Sequence, residues 1–208
     1  MKKIIILAAL LLSTITTNAQ KQTAAQILDA AAARISQKGG LSGQFTATSF
    51  KGKNTSDQIS GSMTLQGRKY TLTTPDMHTW YNGEHLWTLI TGSNEVNQTK
   101  PTQAEFNHSA PTAFIGMYKS GYDLSLKTVR LRGQKANEVT MKAQSKTRQP
   151  ERVIIDLDPS TAYPMCMRVL YKGNWTRITI TGVRSGSAKD SDFEFPSKDY
   201  PGVSVVKL

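Results

Sequence analysis

Thr79-Trp-Tyr-Asn-Gly-Glu-His-Leu-Trp87 sets an Asn-Gly pair between two aromatic-rich runs. Asn and Gly both tolerate the positive φ of a two-residue turn, so this stretch predicts a β-hairpin. Period-two texture extends from it in both directions. Upstream, Gln44 to Phe50 alternates around Phe45, Ala47 and Ser49. Ile59, Gly61, Met63 and Leu65 share one face, with Ser60, Ser62, Thr64 and Gln66 on the other, and Tyr70 and Leu72 continue the pattern. Downstream, Gly92-Ser-Asn94 marks a turn before Val96. Further strands are predicted over Tyr122–Leu126, Thr128–Leu131, Glu138–Ala143, Arg152–Leu157, Met165–Tyr171, Trp175–Thr181 and Phe193–Phe195. Short strands at this spacing, mostly without helices between them, predict a mainly β, antiparallel sheet or barrel and exclude α/β winding.

Two helical signals interrupt the β texture. Thr23-Ala-Ala-Gln26 is a capping box, and Ile27, Leu28, Ala31 and Ile35 follow at helical spacing until Gly39-Gly40. Thr102-Gln-Ala-Glu105 is a second capping box, and Pro111 opens Thr-Ala-Phe-Ile-Gly-Met-Tyr118. Phe114, Ile115, Met117 and Tyr118 are too apolar for a solvated connection, so this mid-chain segment must pack on something or insert into it.

The N-terminus reads as an address. Met1-Lys2-Lys3 is basic, Ile4 to Leu12 is apolar, and Thr17-Asn18-Ala19 is a small-residue cleavage site. This predicts a signal peptide over residues 1–19 and a single mature domain over residues 20–208, exported to the periplasm. No cysteine follows the apolar run, so the chain is not expected to be a lipoprotein itself. The one cysteine, Cys166, precludes an intramolecular disulfide and a Cys-based zinc site, and between two methionines it reads as a buried small hydrophobe. The formal net charge of +11 is dispersed over the strands, consistent with a solvated basic face or with docking to an acidic partner or anionic membrane. Nucleic acid is not expected for an exported chain without a binding motif.

Catalytic constellations do not emerge. His78, His85 and His108 lack metal-ligand spacing, and no nucleophile elbow or phosphate-binding loop occurs. Asp156 and Asp158 are close, but Asp158-Pro159-Ser160 reads as a turn. No enzyme activity, metal or cofactor is therefore expected. Six methionines of the mature chain, beside Trp80, Trp87, Trp175, Phe45, Phe114 and Tyr70, suit either an ordinary β core or a surface that accepts cargo of variable shape.

Several stretches, in order, resemble the periplasmic outer-membrane lipoprotein carrier family. They are Leu41-Ser-Gly-Gln-Phe-Thr-Ala47, Gly61-Ser-Met-Thr-Leu65, Tyr70-Thr-Leu-Thr-Thr-Pro75, the hairpin at residues 79–87, Pro111-Thr-Ala-Phe-Ile115, and Asp192-Phe-Glu-Phe-Pro196 with Pro201-Gly-Val203. The resemblance implies an unclosed antiparallel β-barrel with an N-terminal helix and a helical lid over an apolar cavity. It implies a monomeric chaperone, not an enzyme. Such a chaperone takes acylated lipoproteins from an inner-membrane transporter to an outer-membrane acceptor or to the outer membrane itself. A same-fold lipid-binding protein for another acylated cargo, or for envelope sensing, is the alternative. On this reading Phe114, Ile115 and Met117 are lid residues, and Phe45, Met63, Leu65, Leu72, Trp80, Met165 and Met167 are candidates to touch lipid. The family's arginine-proline pair is replaced here by Leu65-Gln-Gly-Arg-Lys-Tyr70, leaving Arg68 as the candidate to latch the lid.

Overall fold

A computed structural model describes residues 22–52 and 54–208, except for the side chains of His108, Ser109 and Ile115. The expected signal peptide lies outside the described residues. Helix α1 (Ala24–Ser36) starts at the predicted capping box: Thr23 accepts from the Gln26 amide, and the Gln26 side chain accepts from the Thr23 amide. Strands follow as β1 (Leu41–Lys51), β2 (Asn54–Gln66), β3 (Lys69–Thr73), β4 (Met77–Tyr81), β5 (Leu86–Ile90) and β6 (Glu95–Thr99). Two short helices come next, α2 (Gln103–Ser109) and α3 (Phe114–Met117). The chain then runs through β7 (Tyr122–Leu131), β8 (Gln134–Ala143), β9 (Arg152–Leu157), β10 (Pro164–Tyr171) and β11 (Asn174–Ser185), and ends in β12 (Ser204–Lys207).

All twelve strands form one sheet in the order β12-β6-β5-β4-β3-β2-β1-β11-β10-β9-β8-β7. Every pairing is antiparallel except β12 on β6. The two end strands do not pair with each other, so the barrel is unclosed. Two strand expectations are corrected. Residues 122–131 are one strand, not two, because ten consecutive residues pair with β8. Phe193–Phe195 is not a strand: residues 190–193 form a 3-10 turn, which buries Phe193 completely.

Alternation divides the sheet into two faces. Phe45 pairs with Gly61 and Ile180, Ala47 with Ile59 and Ile178, and Met63 with Leu72, so these residues share the concave face. Helix α1 packs into one end of the concavity through Ile27, Leu28, Ala31 and Ile35, all at most 5% exposed. Fully burying Leu28 or Ile35 contributes roughly 1.5–3 kcal/mol each. The next strand pair shows why a glycine is needed. A Cβ at Gly61 would collide with the Thr73 carbonyl and lie 3.1 Å from Phe45 Cε1, so Gly61 leaves room for the Phe45 ring.

Candidate functional site: an apolar cavity beneath a helical lid

The concave face is not filled. Between sheet and helices lies a cavity of about 600 Å³. One wall is Phe45 and Ala47 from β1, Met63 from β2 and Leu72 from β3; the other is Val153 from β9, Met167, Val169 and Tyr171 from β10, and Ile178 from β11. Ala110, Pro111, Ala113, Phe114 and Met117 cover it from the lid segment. The volume lies in the range of small-molecule sites, and the lining is mostly hydrocarbon and thioether. Polar groups gather at one end, where Lys172, Asn174 and Thr176 line the cavity beside Pro150. The end of β1 at Lys51, the start of β2 at Asn54 and the turn between β10 and β11 mark this open end, and α1 occupies the opposite one.

Of the residues singled out from sequence, Phe45, Met63, Leu72, Phe114, Met117 and Met167 line this cavity. Leu65 and Met165 are buried away from the lining; Leu65 packs in the core and Met165 sits where the β10 register shifts. The Ile115 side chain lies outside the described residues. Trp80 is a correction. It pairs with Trp87 on the convex face, and its neighbour Tyr81 takes the concave side. The cause is register: adjacent strand residues point to opposite faces, and Trp80 and Tyr81 are equally acceptable candidates before the cover of each face is known. Alternation from Phe45 and Met167 leads to the wall residues the sequence reading did not name: Ala47, Val169, Tyr171 and Ile178.

The lid is tied down at two places. Arg68, in the turn between β2 and β3, donates to Gln103 Oε1 (3.2 Å), and its guanidinium lies 4.1 Å from the Phe106 ring centroid. Its carbonyl accepts from Thr112 Oγ1 at 3.2 Å. The second capping box starts α2, with Thr102 and Glu105 in reciprocal hydrogen bonds. At the other end the Tyr118 hydroxyl donates to the Asp29 carboxylate on α1. Burial, followed by that neighbouring carboxylate, pushes the Tyr118 phenol well above its ordinary pKa.

Ionisable groups with perturbed environments lie elsewhere. Asp158 makes the predicted turn, its carboxylate accepting from the amides of Ser160 (2.9 Å) and Thr161 (2.8 Å). Asp156, 1% exposed, instead joins Glu138 around Arg168 Nη2, at 3.1 and 2.7 Å. Burial raises the Asp156 pKa, and the Arg168 charge only partly offsets it. Burial also works against the Glu138 carboxylate, but hydrogen bonds from Arg168 and Lys127 outweigh it and hold that pKa below the ordinary value. Asp156 alternates with the inward Ile155 and Leu157, so the cluster faces away from the cavity. Cys166 is buried on that same outer side, and burial raises its thiol pKa.

A family model for the outer membrane lipoprotein carrier protein LolA matches residues 12–173. The chain belongs to the LolA family. Among solved structures, this LolA-family chain resembles an uncharacterized conserved protein from Thermus thermophilus (14% identity, TM-score 0.57, covering 90% of this chain and 100% of that one). It also aligns with a LolA superfamily protein from Nitrosomonas europaea (9% identity, TM-score 0.45, 85% and 99% coverage). A third match is LprF from Mycobacterium bovis (10% identity, TM-score 0.45, 83% and 96% coverage). The Thermus match supports the unclosed-barrel fold. No curated protein matches the chain. No described helix is long and apolar enough to cross a membrane.

Proposed function

We propose that this LolA-family chain is a periplasmic carrier that holds the acyl chains of exported lipoproteins and escorts them between membranes without chemical turnover. The observation that carries this reading is the 600 Å³ apolar cavity closed by a lid segment rather than filled by the core. Lipid chains gain about 0.8 kcal/mol per buried CH₂. A molecule with several long chains therefore leaves a bilayer only if another apolar space replaces it. Lining methionines adapt to chains of varying shape. Phe114 and Met117 move aside with the lid, and Arg68 acts as its latch through Gln103 and Phe106. The donor is an inner-membrane transporter; the acceptor is an outer-membrane protein or the outer membrane.

A release assay tests this. Spheroplasts carrying newly made, fully acylated lipoproteins are mixed with the purified exported form, and lipoprotein in the supernatant is quantified. Release that disappears with Phe114→Glu is the expected result. A folded protein that releases nothing would sink the lipoprotein reading. Mass spectrometry of retained lipid would then identify another acylated cargo.

A further inference from the structure

We propose that the open end of the cavity is a docking surface for anionic lipid bilayers; this rests on reading the cavity as an acyl site. The end of β1 and the turn between β10 and β11 lie side by side because β1 pairs with β11, with Phe50 opposite Trp175. Tyr171, partly exposed, and Lys172, exposed, lie on the cavity side of this end. Partly exposed Phe50 and Trp175 and exposed Arg177 lie on the outer side, since Trp175 and Arg177 alternate with the cavity-lining Asn174, Thr176 and Ile178. Exposed Lys51 ends β1 between them, so rings and cations surround the mouth from both faces of the sheet end. Two of the cations sit on rings: Lys172 Nζ lies 5.5 Å from the Tyr171 centroid, and Arg177 Cζ lies 5.2 Å from that of Phe50. None of the three cations forms an ion pair among the described residues. Arg148, in the connection between β8 and β9, and Arg152, the first residue of β9, add positive charge. The acids facing this tip are Asp57 on β2 and Glu151. The Glu151 carboxylate already accepts from the Gly173 amide at 2.9 Å.

Aromatic rings with lysine or arginine at their edges are the composition of protein surfaces at a membrane–water interface. The decisive feature is what lies behind them. Lys172 lines the cavity as well as the tip, so positive charge borders the opening of an apolar space. A bilayer has the complementary order, negative headgroups first and acyl chains directly beneath. An acidic protein surface would satisfy the cations but not the cavity mouth. Docked this way, a chain could pass from bilayer to cavity without crossing bulk water.

The test is sedimentation of the exported form with phosphatidylcholine vesicles and with vesicles rich in phosphatidylglycerol. The expected result is partitioning onto the anionic vesicles alone, abolished in ~1 M salt, where the screening length is about 3 Å. Each basic residue near such a surface is worth about fivefold in partitioning, so Lys51→Gln, Lys172→Gln and Arg177→Gln together weaken it by roughly 100-fold. A matched triple, Lys38→Gln, Lys135→Gln and Arg184→Gln, removes equal charge at the opposite end and leaves partitioning near the parent value. Equal weakening by both triples would reduce the effect to net charge and overturn the proposal. So would equal binding to neutral vesicles, or binding to polyglutamate but to no vesicle. Uptake of a fluorescent fatty acid, measured in parallel, keeps the two readings apart. Uptake without vesicle binding sinks the docking surface alone; no uptake sinks the acyl site.

Discussion

The sheet carries two apolar clusters back to back, and they are closed in different ways. On the convex face Trp80, Leu89 and Val96 are at most 8% exposed beneath Phe195, Tyr200 and Val203 from the C-terminal segment. Their rings interlock: Trp80 lies 5.5 Å from Phe195 and 5.8 Å from Tyr200 in edge-to-face contacts, and His78 stacks on Trp80 at 5.8 Å. Parallel pairing of β12 with β6 anchors that segment. On the concave face the cover is a short lid with polar ties at Arg68 and Tyr118, and a cavity remains below it. One hairpin feeds both faces, Trp80 outward and Tyr81 inward. Ring packing seals the first face; the cover of the second also buries Phe106, Phe114 and Tyr118, but it leaves a cavity beneath them and is tied at its ends by polar contacts that water can replace. Stability and capacity are thus assigned to opposite sides of the same strands.

The largest expected difference comes from cutting one ring on the sealed face. Trp80→Ala should cost about 3–5 kcal/mol of unfolding free energy, measured by denaturant titration, while acyl uptake per folded molecule stays unchanged. Loss of uptake at full stability would show that the two faces are not separate. Next in size is an alkaline effect on the concave side. Burial, with Tyr81 beside it, pushes the Tyr70 phenol up to about 12. Between pH 10 and 12 the unfolded chain therefore releases this proton while the folded chain keeps it, so stability falls as pH rises. The contribution is of the order of 2–3 kcal/mol, and Tyr70→Phe should flatten that part of the melting-temperature profile. An unchanged profile would remove Tyr70 from the account.

Smaller effects sharpen the functional side. Ala47→Leu adds bulk to a wall that borders empty space, so it should change stability by under about 1 kcal/mol, below the usual cost of overpacking, yet reduce acyl capacity in a binding titration. A penalty of the usual overpacking size would mean the cavity is not available space. The smallest stability effect is that of Arg68→Ala. Losing an exposed cation–π contact costs about 0.5–1 kcal/mol, but exchange of a bound acyl probe should quicken. An unaltered exchange rate would rule out Arg68 as the latch.

The sequence marked local features where the signal is itself local. Both capping boxes need only side chains three residues apart, and both form as read. The hairpin marked by Asn82-Gly83 joins β4 to β5, but through four residues, 82–85, rather than two: only Gly83 takes a positive φ, and the Asn82 carboxamide closes the turn by accepting from the amides of Glu84 and His85. Faces were legible where small or polar residues alternate with large ones, as with Phe45, Met63 and Leu72. They were not legible at Trp80-Tyr81, where both neighbours are aromatic and only the distant C-terminal segment decides which side is covered. Phe193 and Phe195 alternate like a strand, yet they act as rings on loops, because their partners are side chains rather than a sheet edge. β12 is not legible for the converse reason: Ser204-Val-Val-Lys207 has little pattern, and its strand character comes from lying along β6.

An unclosed barrel also keeps two free edges, and an unpaired strand edge is a template for another chain to add on. Here each edge is blunted. β12 offers four residues and ends on Lys207, and the longer β7 carries exposed Lys127 and Arg130 along its length. On the carrier reading proposed above, the barrel can thus stay open among partly apolar polypeptides without becoming a seed for fibres.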